Sequence, residues 1–281
     1  MRRRWAIVVA GIVVGVCLST LYLALVPPYY EATALLAPGG SSPATSSAGS
    51  GPLAALAGLS NTVHQITPFE DFQATLTSIA LARNLGQQEW VLKFLFGRGR
   101  DSATHQWVRP TGSIANVKAM VHRFFGRAAW QPPGDVQIAR ALQAHLSVKY
   151  DRLTDLMHAE FTASSPVMAQ RMLSAVLKES DELVRKRSNY EAQHYVAFAD
   201  QQFQTVTNAD QRAALSNIET EYERILILSG VDVPFATTVI DPPTVSQLPT
   251  GPRISIVMAM GLILGALVGI ALTLLFPVRH R

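Results

Sequence analysis

Cysteine is almost missing from this sequence: the single Cys17 leaves no pair to form a disulfide, so the fold relies on packing and assembly. Charge is missing from two long stretches, Trp5–Val26 and Ile254–Phe276. Phosphate-loop chemistry is absent as well, since no G-x-x-x-x-G-K-[ST] pattern occurs. No G-x-S-x-G nucleophile turn is found. The seven histidines, His64, His105, His122, His145, His158, His194 and His280, include no H-x-x-x-H pair and have no cysteine partners, which argues against zinc. No cofactor and no metal site is expected. Asp151, Asp155 and His158 have i, i+4, i+7 spacing, but they fall in a segment that reads partly as strand, and surface carboxylates beside a histidine are common.

The two uncharged runs each reach the roughly 20 residues that a helix needs to cross a hydrocarbon core about 30 Å thick. A helix satisfies its own backbone polar groups, so it is the natural state of such a run in lipid. The first run could be a signal peptide behind its basic start Arg2-Arg3-Arg4. However, it is longer than an ordinary h-region and meets Pro27-Pro28 with no small-residue cleavage site, so it reads as an uncleaved anchor. Arg2, Arg3 and Arg4 before the first run and Arg279 and Arg281 after the second predict that both ends are cytoplasmic. The expected layout is a cytoplasmic tail at 1–4, a transmembrane helix at 5–27, a periplasmic domain at 28–253, a second transmembrane helix at 254–276 and a tail at 277–281, in a bacterial inner membrane. Of 24 Lys and Arg, five lie in the tails, leaving 19 against 20 Asp and Glu between the runs. The basic balance is therefore a topology signal, and no clustered basic face suggests nucleic acid.

Between the runs, Tyr30, Ala32, Ala34 and Leu36 alternate as in a strand. The stretch 38–52 is rich in Gly, Ser and Pro and reads as a flexible loop; Leu53–Leu59 follows as a short apolar helical piece. Helices are predicted over Phe69–Leu85, Trp90–Phe96, Ser113–Phe125 and Ile138–Leu146, and strands over Leu146–Tyr150 and Asp155–Thr162. Ser165 and Pro166 form a helix start, and no Pro or Gly follows until Gly230. A continuous helix of some 63 residues would be roughly 90 Å long. Leu173, Leu177 and Val184, and then Leu215, Ile218, Tyr222 and Ile225, give it an apolar stripe that needs neighbours from the chain itself or from other copies. The polar centre, Gln201–Asp210, leaves open a break near Thr205–Asn208. A strand is expected over Thr237–Ile240. Pro243, Pro249 and Pro252 repeat every three residues apart from Ser246, which predicts a polyproline II strut over 241–253, with Pro242 beside them. Gly11/Gly15 and Gly261/Gly265/Gly269 are GxxxG patterns that permit close helix packing, within one subunit or between subunits. Arg98 and Arg100, set between glycines, have two readings: guanidinium contacts to an anionic sugar or phosphate, and a solvated loop.

The order of these parts resembles the polysaccharide co-polymerases, the chain-length determinant family. The resemblance rests on Tyr30, Ala32 and Ala34 after the first span, on Pro166 and Ala169 at a helix start after a strand, and on Pro243, Pro249 and Pro252 before a span holding Gly261, Gly265 and Gly269. It covers essentially the whole chain. Ser246 departs from the pattern where proline is frequent. The Gly/Ser/Pro loop and Leu53–Leu59 look more like the exopolysaccharide-export branch, many members of which carry a fused tyrosine kinase; Pro277–Arg281 is too short for one. The resemblance implies an α+β membrane protein, with a small sheet near the membrane and a long protruding helix over 165–228. It also implies a homo-oligomeric ring and a non-enzymatic role in chain length, polymerisation or export of a surface or secreted polysaccharide. The partners implied are an integral-membrane polymerase, a separate cytoplasmic tyrosine kinase and an outer-membrane export protein. An alternative with the same two-span topology is an adaptor of an ATP-driven capsule or polysaccharide transporter. A two-span sensor would need a cytoplasmic signalling domain, for which the tails give no room.

Overall fold

The structure is a computed structural model that describes residues 2–39, 67–97, 107 and 132–275. Its elements in chain order are α1 (Arg2–Leu25), β1 (Tyr30–Pro38), α2 (Pro68–Thr75), α3 (Ile79–Gly86), α4 (Glu89–Phe96), α5 (Asp135–Gln143), β2 (Leu146–Asp151), β3 (Leu156–Ala163), α6 (Pro166–Phe203), α7 (Ala209–Ser229), β4 (Thr237–Val245) and α8 (Ile254–Leu275). The α+β class, with a small sheet and a long helix, is as the sequence suggests. Two compact units divide the chain: Met1–Ala32 with Thr162–Gln170 and Thr244–Arg281, and Thr33–Phe161 with Arg171–Pro243. The expected helix over Ser113–Phe125, the piece Leu53–Leu59, and nearly all of the 38–52 loop lie outside the described residues.

The four strands form one sheet in the order β2-β3-β1-β4. β2 and β3 are an antiparallel hairpin, with Leu146 opposite Phe161 and Asp151 opposite Leu156. β1 buries Ala32, Ala34 and Leu36 on alternate positions, and β3 buries Met157, Ala159, Phe161 and Ala163. That is the period-2 signature of a sheet with one covered face. Tight turn chemistry closes the hairpin. Asp151 accepts hydrogen bonds from the Leu153 N–H (2.9 Å) and the Thr154 hydroxyl (2.9 Å), and Asp155 adopts φ 54°. The Asp151, Asp155 and His158 spacing therefore belongs to a turn and a strand, with no shared helix face.

In the second unit, α2 opens on a capping box. The Thr67 Oγ1 accepts from the Glu70 N–H (3.2 Å), and the Glu70 carboxylate accepts from the Thr67 N–H (2.8 Å). The single helix expected over Phe69–Leu85 is two helices, because the Ser78 Oγ takes the Leu81 N–H at 3.1 Å and starts α3 afresh. The helix placed at Ile138–Leu146 begins earlier, at Asp135, and Leu146 belongs to β2. Phe72, Leu76, Leu81, Leu85 and Val91 from α2–α4 are buried with Leu36 and Phe161 of the sheet. Phe94 sits 6.0 Å from the Phe161 ring, and Phe69 sits 5.8 Å from that of Tyr150.

The long helical segment is a hairpin. α6 runs for 38 residues, about 57 Å. The chain breaks after Phe203, and α7 restarts at Ala209, with the Asn208 side chain accepting the Asp210 N–H at 2.9 Å. Ala192, Ile218 and Tyr222 form the buried seam between them, flanked by Tyr195, Val196, Ile225 and Leu226. Tyr195 stacks on Tyr222 at 4.5 Å, and the Asn189 amide donates to Ser229 Oγ at 2.7 Å. The apolar stripe thus finds its neighbour within the chain.

α6 also pins the approach to β4. The buried Asp181 carboxylate accepts from the Phe235 N–H (2.9 Å) and the Ala236 N–H (2.8 Å), and it pairs with Arg185 at 3.2 Å. Arg185 donates to the Val231 carbonyl (2.8 Å) and to that of Val233. Elsewhere, Arg187 pairs with Asp71, Glu179 accepts from Gln88 (3.3 Å), and Arg171 lies 4.2 Å over the Trp90 ring.

β4 is longer than the expected Thr237–Ile240. It continues through Asp241, Pro242 and Pro243 to Val245. Prolines lack the ladder donor, and they are tolerated here because β4 is an edge strand. The polyproline rod expected over 241–253 is therefore replaced, in its first five residues, by sheet.

Removing the Asp181 carboxylate leaves two buried N–H groups and a half-buried guanidinium without their acceptor. Asp181→Ala is expected to lose about 3 kcal/mol of stability. Glu182→Gln, which breaks only the exposed pair to Lys186, is expected to lose less than about 1 kcal/mol. Thermal or denaturant unfolding of the two variants measures the difference.

Candidate functional site

The sequence-predicted site residues fall mainly in the first unit, where the two apolar helices meet. Among the described residues, Ile254–Ala271 in α8 is the one helix segment long and apolar enough to cross a membrane, and Val9–Leu25 in α1 is a shorter apolar stretch. All five predicted glycines lie in one antiparallel crossing. A Cβ on Gly11 would stand 2.6 Å from the Gly265 carbonyl oxygen and 3.0 Å from Gly269 Cα. One on Gly15 would stand 2.9 Å from Gly265 Cα, and one on Gly261 would stand 2.8 Å from the Gly15 carbonyl oxygen. One on Gly265 would stand 3.0 Å from Ile12 Cα. Backbone meets backbone, which only glycine allows. Of the two packing readings, the glycines serve the one within the subunit.

Sequence reasoning missed the third member of the α1 stripe, although the signal was there: Ser19 follows Gly15 by four residues, as Gly15 follows Gly11. Ser19 is buried, and its Oγ donates to the Gly15 carbonyl at 2.9 Å, returning its polar group to its own helix. It also lies directly against Gly261. Away from the crossing the helices present large aliphatic side chains, including Val13, Val14 and Leu18 of α1 and Leu262, Ile263 and Leu264 of α8.

Just beyond the helices, a clasp joins the two chain segments, and this too was missed. The Tyr29 N–H donates to the Gly251 carbonyl (2.9 Å), and the Thr250 N–H donates to the Tyr29 carbonyl (3.0 Å). The Tyr29 ring covers Gly251 so closely that any Cβ there would collide with it. Pro249 and Pro252 flank this bridge, which pairs one residue, Gly251, of the remainder of the expected rod. Tyr30, Ala32 and Ala34 follow in β1, with both alanines buried. Pro242 and Pro243 sit in β4. Arg98 and Arg100 lie outside the described residues.

The titratable groups with shifted pKa, among the described residues, lie in one turn. Among the described residues, no group of three His, Cys, Asp or Glu could hold a metal ion. The Asp151 carboxyl is held below its ordinary range by the Leu153 N–H and the Thr154 hydroxyl. The Tyr150 phenol is raised, chiefly by its hydrogen bond to Asp155. Both effects belong to the β2–β3 turn.

If the crossing is held by backbone contact, a side chain at its centre must push the helices apart. With spin labels at the exposed positions Val14 and Leu262 in a Cys17→Ser background, Gly265→Leu is expected to lengthen the label distance by about 2–4 Å. The helices would move toward the 8–10 Å separation usual for side-chain packing. An unchanged distance would rule out the crossing.

No family model matches the chain, and no curated protein matches it. Among solved structures, the chain is similar to a "full-length bacterial polysaccharide co-polymerase", at 10% sequence identity over 96% of this chain and 92% of that one, with a TM-score of 0.34.

Proposed function

We propose that this protein is a non-enzymatic scaffold of a bacterial inner membrane that works with the machinery polymerising or exporting a surface or secreted polysaccharide. The observation that carries the reading is the arrangement at the base. Two terminal apolar helices cross through Gly11, Gly15, Gly261, Gly265 and Gly269, and the chain leaving them is clipped between Tyr29 and Gly251 before entering β1. It supports a hairpin anchor in which both ends share one side of the membrane. The arginines at 2–4, 279 and 281 favour the cytoplasm for those ends, which leaves the sheet and the α6–α7 hairpin for the periplasm. The Tyr30/Ala32/Ala34 strand, the Pro166 helix start and the prolines before a glycine-rich helix, in that order, support the polysaccharide co-polymerase reading.

In this reading the protein supplies position where an enzyme would supply chemistry. The helix pair places its outer domain beside an integral-membrane polymerase. Copies of the chain assemble into a ring that governs polymer length, with a cytoplasmic tyrosine kinase and an outer-membrane export protein as separate partners. No nucleic acid and no cofactor enters the scheme.

Deleting the gene and sizing the cell's polysaccharides tests the proposal. A shifted modal length, or loss of exported polymer, is expected. Gly251→Leu, which forces the Tyr29 ring off the clasp, is expected to reproduce the shift in part while the protein still inserts. Polysaccharides unchanged in length and amount after deletion would overturn the reading.

A further inference from the structure

The loop between β4 and α8 holds a side chain that nothing in the fold accounts for. Leu248 is 76% exposed, and its surroundings are peculiar for a loop. No charge occurs between Asp241 and Arg253, nor, on the neighbouring segment, between the start of α1's apolar stretch and Glu31. Loops facing water usually carry charge, and this one is Ser246-Gln247-Leu248-Pro249-Thr250-Gly251-Pro252. Its position is fixed. Thr250 and Gly251 are hydrogen-bonded to Tyr29, three residues past the Val26 N–H that closes the last turn of α1 on the Tyr22 carbonyl. Only Pro249 stands between Leu248 and Thr250, at most about 7 Å of chain. The Ser246 Oγ accepts the Leu248 N–H at 3.1 Å, and Pro249 restricts the residue before it to extended conformations, so Leu248 is presented on a local turn.

The segments that the clasp joins end in exposed apolar side chains as well: Leu21, Tyr22 and Leu25 at the end of α1, Tyr29 of the clasp, and Ile254 at the start of α8. Tyrosines flanking an apolar helix are what a membrane–water boundary selects, and Arg253 immediately precedes α8, a position where a basic side chain suits lipid phosphates. We propose that the Ser246–Pro252 loop dips into the lipid, with the Leu248 side chain inserted among the acyl chains at the outer boundary. The inference rests on the membrane-spanning reading of α8 given above. It adds a third point of contact, beside the two helices, which fixes the depth of the clasp in the bilayer. The partner is lipid, since the uncharged loop is tied at Thr250 and Gly251 to Tyr29 just past α1 and runs within a few residues into the apolar α8.

Cys17 is the only cysteine and is exposed, so Cys17→Ser gives a background in which Leu248→Cys can carry a single nitroxide label on the full-length protein. Reconstituted in phosphatidylcholine/phosphatidylglycerol nanodiscs, the label is read by power saturation with oxygen, which partitions into lipid, and with a water-soluble nickel chelate. Labels at Leu262 in α8 and at Thr207, between α6 and α7, serve as references. The expected result is a Leu248 label relaxed several-fold more by oxygen than by nickel, between the two references and nearer Leu262. Nickel access equal to that at Thr207, with Leu262 still lipid-like, overturns the inference and leaves the spanning helix standing. Protection from both reagents means that protein covers Leu248 and also overturns it. Nickel access at Leu262 itself overturns the spanning reading and the inference with it.

Discussion

The close approach of α1 and α8 is the constraint on which the first unit depends. In lipid, apolar side chains gain little by moving from acyl chains onto one another, so two helices hold together by packing and by polar contacts. Here the packing is backbone on backbone, through Gly11 and Gly15 against Gly261, Gly265 and Gly269. Because the crossing brings the C-terminal end of α1 near the N-terminal end of α8, the chain emerges from the pair as two adjacent strands. The Tyr29 to Thr250 and Gly251 bridge needs that adjacency, as its three hydrogen bonds span only 2.9, 3.0 and 3.4 Å. β1 then enters the sheet beside β4.

The second unit solves a different problem, which is to hold a sheet, four short helices and a long hairpin together without a disulfide. Apolar burial does most of this, through Leu36, Phe72, Phe161, Leu173 and Val176. Polar groups then fix the registers that burial leaves free. Asp181 and Arg185, one turn apart on α6, take opposite duties: the carboxylate collects backbone donors at 235 and 236, and the guanidinium collects the carbonyls at 231 and 233. Such a pair is more demanding than a surface ion pair, because losing either partner strands several backbone groups at once.

Much of this was legible in the sequence wherever pattern and burial coincide. The alternation at Tyr30–Leu36, the β2–β3 hairpin, the start of α6 at Pro166 and the stop at Gly230 follow from periodicity and capping rules. In the helices, local caps outcompete apolar period. Ser78 divides a stretch whose apolar spacing runs on through it, and Asn208 restarts a helix where the composition alone left a choice. The proline segment was misread for the opposite reason, a tertiary one. Period three describes a rod in water, but an edge position beside β1 accepts Pro242 and Pro243 in a strand. In the candidate site, the glycines were found because spacing identifies them, and their partners were not, because which glycine faces which depends on the antiparallel crossing. The clasp left no sequence signature, since its hydrogen bonds are main-chain ones and its single side-chain contact, the Tyr29 ring on Gly251, joins residues far apart in the sequence.

The length of α6 has a mechanical meaning. A single uninterrupted helix of 38 residues is stiff over its whole span, and its first residue follows β3 by only Ser164 and Ser165. It therefore behaves as a lever. Its first half is tied down at Arg171, Glu179, Asp181, Arg185 and Arg187, so the free arm runs from Arg187 to Phe203, roughly 24 Å, and a tilt of about 10° there would move the far end by roughly 4 Å, given the rise of about 1.5 Å per residue. A load applied near Phe203 is carried along this arm to the contacts that hold Asp181, Arg185 and Arg187.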